Sequence, residues 1–92
     1  MASKRVLVID DSNTIRRSAE IFLKQGGHEV MLAEDGFDAL AKVNDAQPDL
    51  IFCDILMPRL DGYQTCAIIK RNEKFAATAV VMVSSKDGVL DK

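Results

Sequence analysis

The sequence predicts an open α/β sheet of parallel strands, and three observations predict it. Four short runs rich in apolar residues recur along the chain: Val6-Leu7-Val8-Ile9, Glu29-Val30-Met31-Leu32-Ala33, Leu50-Ile51-Phe52-Cys53 and Val80-Val81-Met82-Val83. The first, third and fourth are continuously apolar, which marks strands covered on both faces rather than one. Longer stretches with apolar residues at helical spacing separate the runs, and strand-helix alternation implies parallel pairing through right-handed crossovers.

Taken in order, the first strand ends abruptly in Asp10-Asp11. Ser12 or Asn13 can cap a helix there, and Ile15, Ala19, Phe22 and Leu23 then share one helical face. Gly26-Gly27 stops this helix, because glycine readily supplies a left-handed turn. After the second, weaker strand, Asp35 is an N-cap for a helix carrying Phe37, Ala39, Leu40 and Val43. Pro48 marks the loop before the third strand, which runs into Asp54. Pro58 and Gly62 punctuate the next loop, and residues 63–71 read as a third helix with Tyr63, Cys66 and Ile69 inward. The fourth strand leads to Ser84-Ser85-Lys86-Asp87-Gly88, and Val89-Leu90-Asp91-Lys92 reads as the start of a fourth helix.

A length of 92 residues allows a single domain, with a core small enough that every missing element counts. The formal net charge is -2 with both signs interspersed, and no basic block accompanies Tyr63 and the four Phe. Nucleic-acid binding is therefore not expected. No apolar run approaches membrane-spanning length, and Met1-Ala2-Ser3-Lys4-Arg5 leads straight into the first strand without a signal-peptide pattern. Cys53 and Cys66 form no CxxC and read as small buried hydrophobes of a reducing compartment, so the cytoplasm is the expected location.

Ligands of open parallel sheets bind at the carboxyl ends of the strands. Polar groups stand there after three of the four strands: Asp10 and Asp11, Asp54, and Ser84. Three carboxylates in one pocket repel unless a cation joins them, and magnesium suits a few carboxylates with waters and a substrate phosphate. A carboxylate beside such a cation can attack phosphorus, and a nearby hydroxyl such as Ser84 can hydrogen-bond the product. Any one of these aspartates alone would read as a helix cap or a loop solubiliser. Their joint placement after successive strands is what gives the pattern its specificity.

Val8-Ile9-Asp10-Asp11-Ser12, Asp54-Ile55-Leu56-Met57-Pro58-Arg59-Leu60-Asp61-Gly62 and Val80-Val81-Met82-Val83-Ser84 resemble the CheY-like receiver domains of response regulators, from about Lys4 to the last residue. The resemblance implies a flavodoxin-like, open parallel-sheet α/β fold. Within the family, residues 35–42 and 58–66 look most like the single-domain regulators of type IV pilus (twitching-motility) chemosensory systems. It also implies that Asp54 accepts a phosphoryl group from a histidine kinase or phosphotransfer domain. Asp11 and Asp54 would bind Mg2+ directly, with the Leu56 backbone carbonyl as a further ligand and Asp10 acting largely through water. Ser84 would be the hydroxyl that senses the phosphoryl group, and Met57-Pro58 and Asp61-Gly62 would shape the loop.

The chain departs from the family in one respect. The family continues with a fourth helix, a fifth strand ending in a lysine, and a fifth helix; residues 1–92 read as a receiver domain of about four strands and three helices that lacks the last strand and helix. Lys86 lies on the wrong loop to replace that lysine. A sheet so shortened would expose an edge and apolar surface, and a dimer or domain swap is one expected consequence.

The leading expectation is therefore a signalling switch that phosphorylates and dephosphorylates itself and has no separate substrate, hence not an enzyme in the usual sense. The alternative is a structural or domain-swapped fragment that is not phosphorylated. An aspartate-nucleophile phosphatase would want a second acid where Leu56 stands, and a flavin module would find Asp10-Asp11 repelling its phosphate. His28 reads as an exposed loop residue rather than a relay histidine. Arg16 and Arg17 read either as a solvated helix face or as a docking surface for the kinase. Ile21 and Ile68 fall off the inward stripes and should be exposed.

Overall fold

The computed structural model describes residues 3–84. The strands are β1 (Arg5–Ile9), β2 (Glu29–Ala33), β3 (Leu50–Asp54) and β4 (Ala79–Val83). The helices are α1 (Asn13–Gln25), α2 (Gly36–Ala46) and α3 (Gly62–Arg71), followed by a 3₁₀ turn at Glu73–Phe75. All pairings are parallel, in the order β2-β1-β3-β4. The chain thus winds outward from β1 in both directions, and β1 and β3, whose C-terminal ends carry aspartates, lie side by side. Residues 85–92, including Lys86 and the predicted start of a fourth helix, lie outside the described residues.

Local chemistry explains the helix boundaries. Ser12 caps α1 by accepting from the Ile15 N–H, and Gly27, at φ 85°, turns the chain away after it. Asp35 caps α2 through the Asp38 N–H. At α3, Asp61 accepts from the Gln64 N–H while the Gln64 side chain accepts from the Asp61 N–H. This reciprocal capping box starts the helix at Gly62, one residue earlier than the sequence reading placed it.

The core lies between the sheet and the α2–α3 pair. Leu7, Ile9, Ile51 and Cys53 from the strands meet Ala39 and Val43 of α2 and Cys66 and Ile69 of α3. Phe75 of the 3₁₀ turn, absent from the sequence expectation, is buried with them. On the other face α1 carries no buried residue. Ile15 and Phe22, predicted inward, are exposed, Phe22 to 77%. They border an apolar groove of about 200 Å3 with Val8, Ala19, Leu23, Phe52 and Val83. The α1 stripe exists, but it is incompletely covered among the described residues.

Two further expectations are corrected. Tyr63 is exposed rather than inward, and Phe37, carried by the second helix, is exposed as well. Each sits in the first turn of its helix, one residue after a buried glycine. His28 is half-buried, and its Nδ1 accepts the Lys4 N–H at 3.1 Å. Ile21 and Ile68 are exposed, as their spacing predicts.

Candidate functional site

The C-terminal edge of the sheet is built from two neighbouring strand ends. Residues Ile9 and Cys53 are register partners, so the residues that follow them emerge together. Asp10 and Asp54 are buried, and Asp11 is exposed beside them. One carboxylate oxygen from each of Asp10, Asp11 and Asp54 lies within 4.8 Å of the others. The donor set is entirely oxygen, which matches a hard cation such as Mg2+ rather than a thiophilic metal. Octahedral Mg2+ spans roughly 4.2 Å between opposite ligand oxygens, so a set of this size admits direct and water-bridged ligands together.

Backbone donors orient these carboxylates. Asp10 Oδ1 accepts from the Ser12 N–H at 2.8 Å, and Asp54 Oδ1 from the Leu56 N–H at 3.3 Å. Both are local turns in which an aspartate gathers the backbone two residues ahead. Arg16 adds a restraint that the sequence reading missed. Its Nη1 donates to the Asp10 carbonyl at 2.7 Å and its Nη2 to Asn13 Oδ1 at 3.2 Å, tying the acidic turn to α1. Arg16 is therefore not part of a freely solvated face, whereas Arg17 pairs with Glu20 on the exposed side. The spacing of Arg16 one turn inside a helix that follows a strand-end aspartate was the available signal.

The loop after β3 is equally constrained. The Ile55 N–H donates to the Val83 carbonyl, and the Gly62 N–H to the Ile55 carbonyl, each at 2.9 Å. A side chain at Gly62 would run into the Asp54 carbonyl oxygen and come within 2.9 Å of Ile55 Cα, so only glycine lets α3 start this close to the strand end. Ser84, half-buried, follows directly on Val83, the register partner of Asp54. Behind the site, the Cys53 thiol is held protonated by its hydrogen bond with Cys66 and by burial. It serves packing rather than nucleophilic chemistry.

Residues 6–91 match the response regulator receiver domain. The chain belongs to this family. Receiver domains among the solved structures superpose closely. Vibrio cholerae chemotaxis protein CheY4 does so with a TM-score of 0.84 at 34% identity, covering 88% of this chain and 68% of that one. A Methanoculleus marisnigri response regulator receiver protein gives 0.85 at 32% identity, covering 92% and 69%. Among curated relatives, protein PilG of Pseudomonas aeruginosa is 64% identical over 96% of this chain and 65% of its own length. Protein PilH of the same organism is 35% identical over 96% of this chain and 73% of its own. The narrower resemblance drawn from the sequence agrees with these two Pil relatives. The receiver domain here thus spans about two thirds of PilG. It is a signalling module by family, and no described helix is long and apolar enough to cross a membrane.

Proposed function

We propose that this receiver domain is a phospho-accepting switch that takes a phosphoryl group onto Asp54 from a histidine kinase or phosphotransfer domain. The observation that carries the reading is the convergence of Asp10, Asp11 and Asp54 within 4.8 Å at the ends of two adjacent strands. In this reading Asp11, Asp54 and the Leu56 carbonyl would hold Mg2+, with Asp10 completing the acidic set, largely through water. When bound, Mg2+ would neutralise the incoming phosphate and stabilise the charge of the transferring phosphoryl group. A carboxylate oxygen of Asp54 attacks phosphorus, the phosphorus–nitrogen bond of the donor phosphohistidine breaks, and the imidazole leaves with its electron pair. Asp54 is fully buried, and the Leu56 N–H steadies the carboxylate oxygen it bonds. Ser84, at the end of the strand paired with β3, supplies the hydroxyl that turns toward the product. Hydrolysis of the acyl phosphate returns the domain to its starting state, so no separate substrate is turned over.

The similarity to PilG and PilH supports placing this switch in a cytoplasmic chemosensory phosphorelay of type IV pili, controlling twitching motility. Intact mass after incubation with Mg2+ and acetyl phosphate tests the chemistry. A single phosphoryl adduct is expected, dependent on Mg2+ and absent from Asp54→Ala; a folded parent chain that gains none would refute the reading.

One observation favours a second reading, an associating fragment that is not phosphorylated. β4 pairs on one side only among the described residues, and the apolar groove lies beside its end. A size measurement that returned a dimer, together with no adduct, would select it.

A further inference from the structure

Arg59 stands in an unusual place. It adopts φ 70° in the loop after β3, a left-handed conformation that a side chain with a Cβ adopts at a cost. Something must hold it there, and two contacts to α2 do. Arg59 Nη2 donates to Asp35 Oδ2 at 2.7 Å, and the guanidinium carbon lies 5.2 Å from the centre of the Phe37 ring. Asp35 is a firm anchor, because its other oxygen caps α2 by accepting the Asp38 N–H at 2.7 Å. Next to Arg59, the Leu60 N–H closes a tight turn on the Pro58 carbonyl at 2.7 Å. Leu60 also packs against Gly36, so closely that a side chain there would come within 2.9 Å of Leu60 Cδ2.

The loop from Leu56 to Asp61 is therefore fastened at its middle to the N-terminus of α2. An exposed ion pair alone contributes little. Here the pair is joined to a ring contact and to a left-handed backbone, so it adds a tertiary restraint to the loop's own hydrogen bonds. From this geometry we infer that Arg59 is a positioning residue: its clasp on Asp35 and Phe37 sets the height of the loop and so presents the Leu56 carbonyl to the cation site. This rests on the reading of Asp10, Asp11, Asp54 and Leu56 as that site. It also explains why Phe37 remains at the surface: its ring face serves Arg59.

Charge and position make opposite predictions, which lets one experiment separate them. Removing a cation near a cation site would, by electrostatics alone, tighten Mg2+ binding. Loss of the clasp weakens it. Arg59→Gly is the informative variant, because glycine takes φ 70° without strain and keeps the fold while deleting both contacts. Mg2+ titrations followed by the amide resonances of Leu56 and Gly62 would be compared for the parent chain, Arg59→Gly and Arg59→Lys, with thermal midpoints in EDTA as the folding control. Binding by Arg59→Gly is expected to weaken about fivefold, below the 10–100-fold typical of groups that bond a metal ligand directly. Arg59→Lys, which keeps the charge but not the flat fork, should fall between. Unchanged or tighter binding by Arg59→Gly would overturn the inference, as would Arg59→Lys binding no better than Arg59→Gly. If Arg59→Gly failed to fold in EDTA, Arg59→Lys would decide alone, with parental affinity counting against the clasp. A parent chain that binds no Mg2+ would sink the underlying reading and this inference with it.

Discussion

The two faces of the sheet are built from the same strands, yet they are finished differently. On one face, Leu7, Ile9, Ile51 and Cys53 are sealed by α2, α3 and Phe75. On the other, Val8 and Phe52 meet α1, a helix without a single buried residue, and an apolar groove remains between them. Burial on the first face supplies most of the hydrophobic stabilisation, since that term scales with apolar area removed from water. The candidate site draws on both faces. Asp10 and Asp11 lead into α1, whereas Asp54 leads through the clasped loop into α3. A well-packed half thus holds the phospho-acceptor candidate, and a thinly covered half holds the acidic pair beside it.

The largest effect should come from the sealed face. Ile51→Ala is expected to cost about 2–5 kcal/mol of unfolding free energy, as buried large-to-small changes do, because Ile51 is fully buried at the centre of the core. Urea denaturation measures it. A cost under 1 kcal/mol, estimated against that range, would mean the sealed face can collapse around the gap and is not the stabilising half.

Next comes the junction of that face with the site. Gly62→Ala should cost about 1–3 kcal/mol or more, because the intruding methyl meets strand backbone rather than a side chain that can turn away. At Gly36 the obstacles are side-chain atoms, the Thr65 hydroxyl and Leu60 Cδ2, rather than backbone, although Thr65 is buried and bonded to the Asp61 carbonyl. Gly36→Ala should therefore be the milder change. Equal midpoints for the two variants would show that the β3–α3 junction gives more readily than its contacts imply.

A smaller effect depends on pH. Asp38 fastens α2 to β2: its carboxylate accepts from the Glu34 N–H and from Lys42, each at 3.0 Å, and Lys42 also donates to the Leu32 carbonyl. Burial opposes its ionisation, but the Glu34 hydrogen bond and Lys42 outweigh it and hold the carboxyl below its ordinary 3.8. A depressed folded-state value means the stabilisation is fully present above pH about 4 and is lost as pH falls through the lower folded value. Asp38→Asn should thus be less stable than the parent at pH 6, with the gap narrowing toward pH 3. A gap independent of pH would assign the effect to packing instead.

Strand positions and helix limits were legible in the sequence on both faces. Continuous apolar runs gave the strands, and turn chemistry at Ser12, Asp35 and Gly27 gave the helix limits, because those signals are local. What failed was the inward or outward sense of Ile15, Phe22 and Tyr63. Helical spacing reports which residues share a face; whether another element lies opposite is a property of the whole fold. The acidic set was visible because each member directly follows a strand. The restraints on it, Arg16 on the Asp10 carbonyl and Arg59 on Asp35, were not, since a long side chain reaches across elements without leaving a spacing pattern.

The smallest effect should be at Phe22, and it tests the contrast most sharply. A phenylalanine in a core costs several kcal/mol to remove, but this one is 77% exposed and retains little area to lose. Phe22→Ser should change stability by less than about 0.5 kcal/mol, as surface substitutions do. Replacing an exposed ring with a hydroxyl should also leave the phosphoryl adduct untouched, because Phe22 lies three turns from the acidic pair along α1. A loss of about 1.5 kcal/mol or more would mean that the α1 face is covered in solution. Measuring that loss across a tenfold range of protein concentration would then tell the source of the cover. A loss that grows with concentration belongs to a second copy, since only association responds to mass action. A loss constant with concentration belongs to the chain itself.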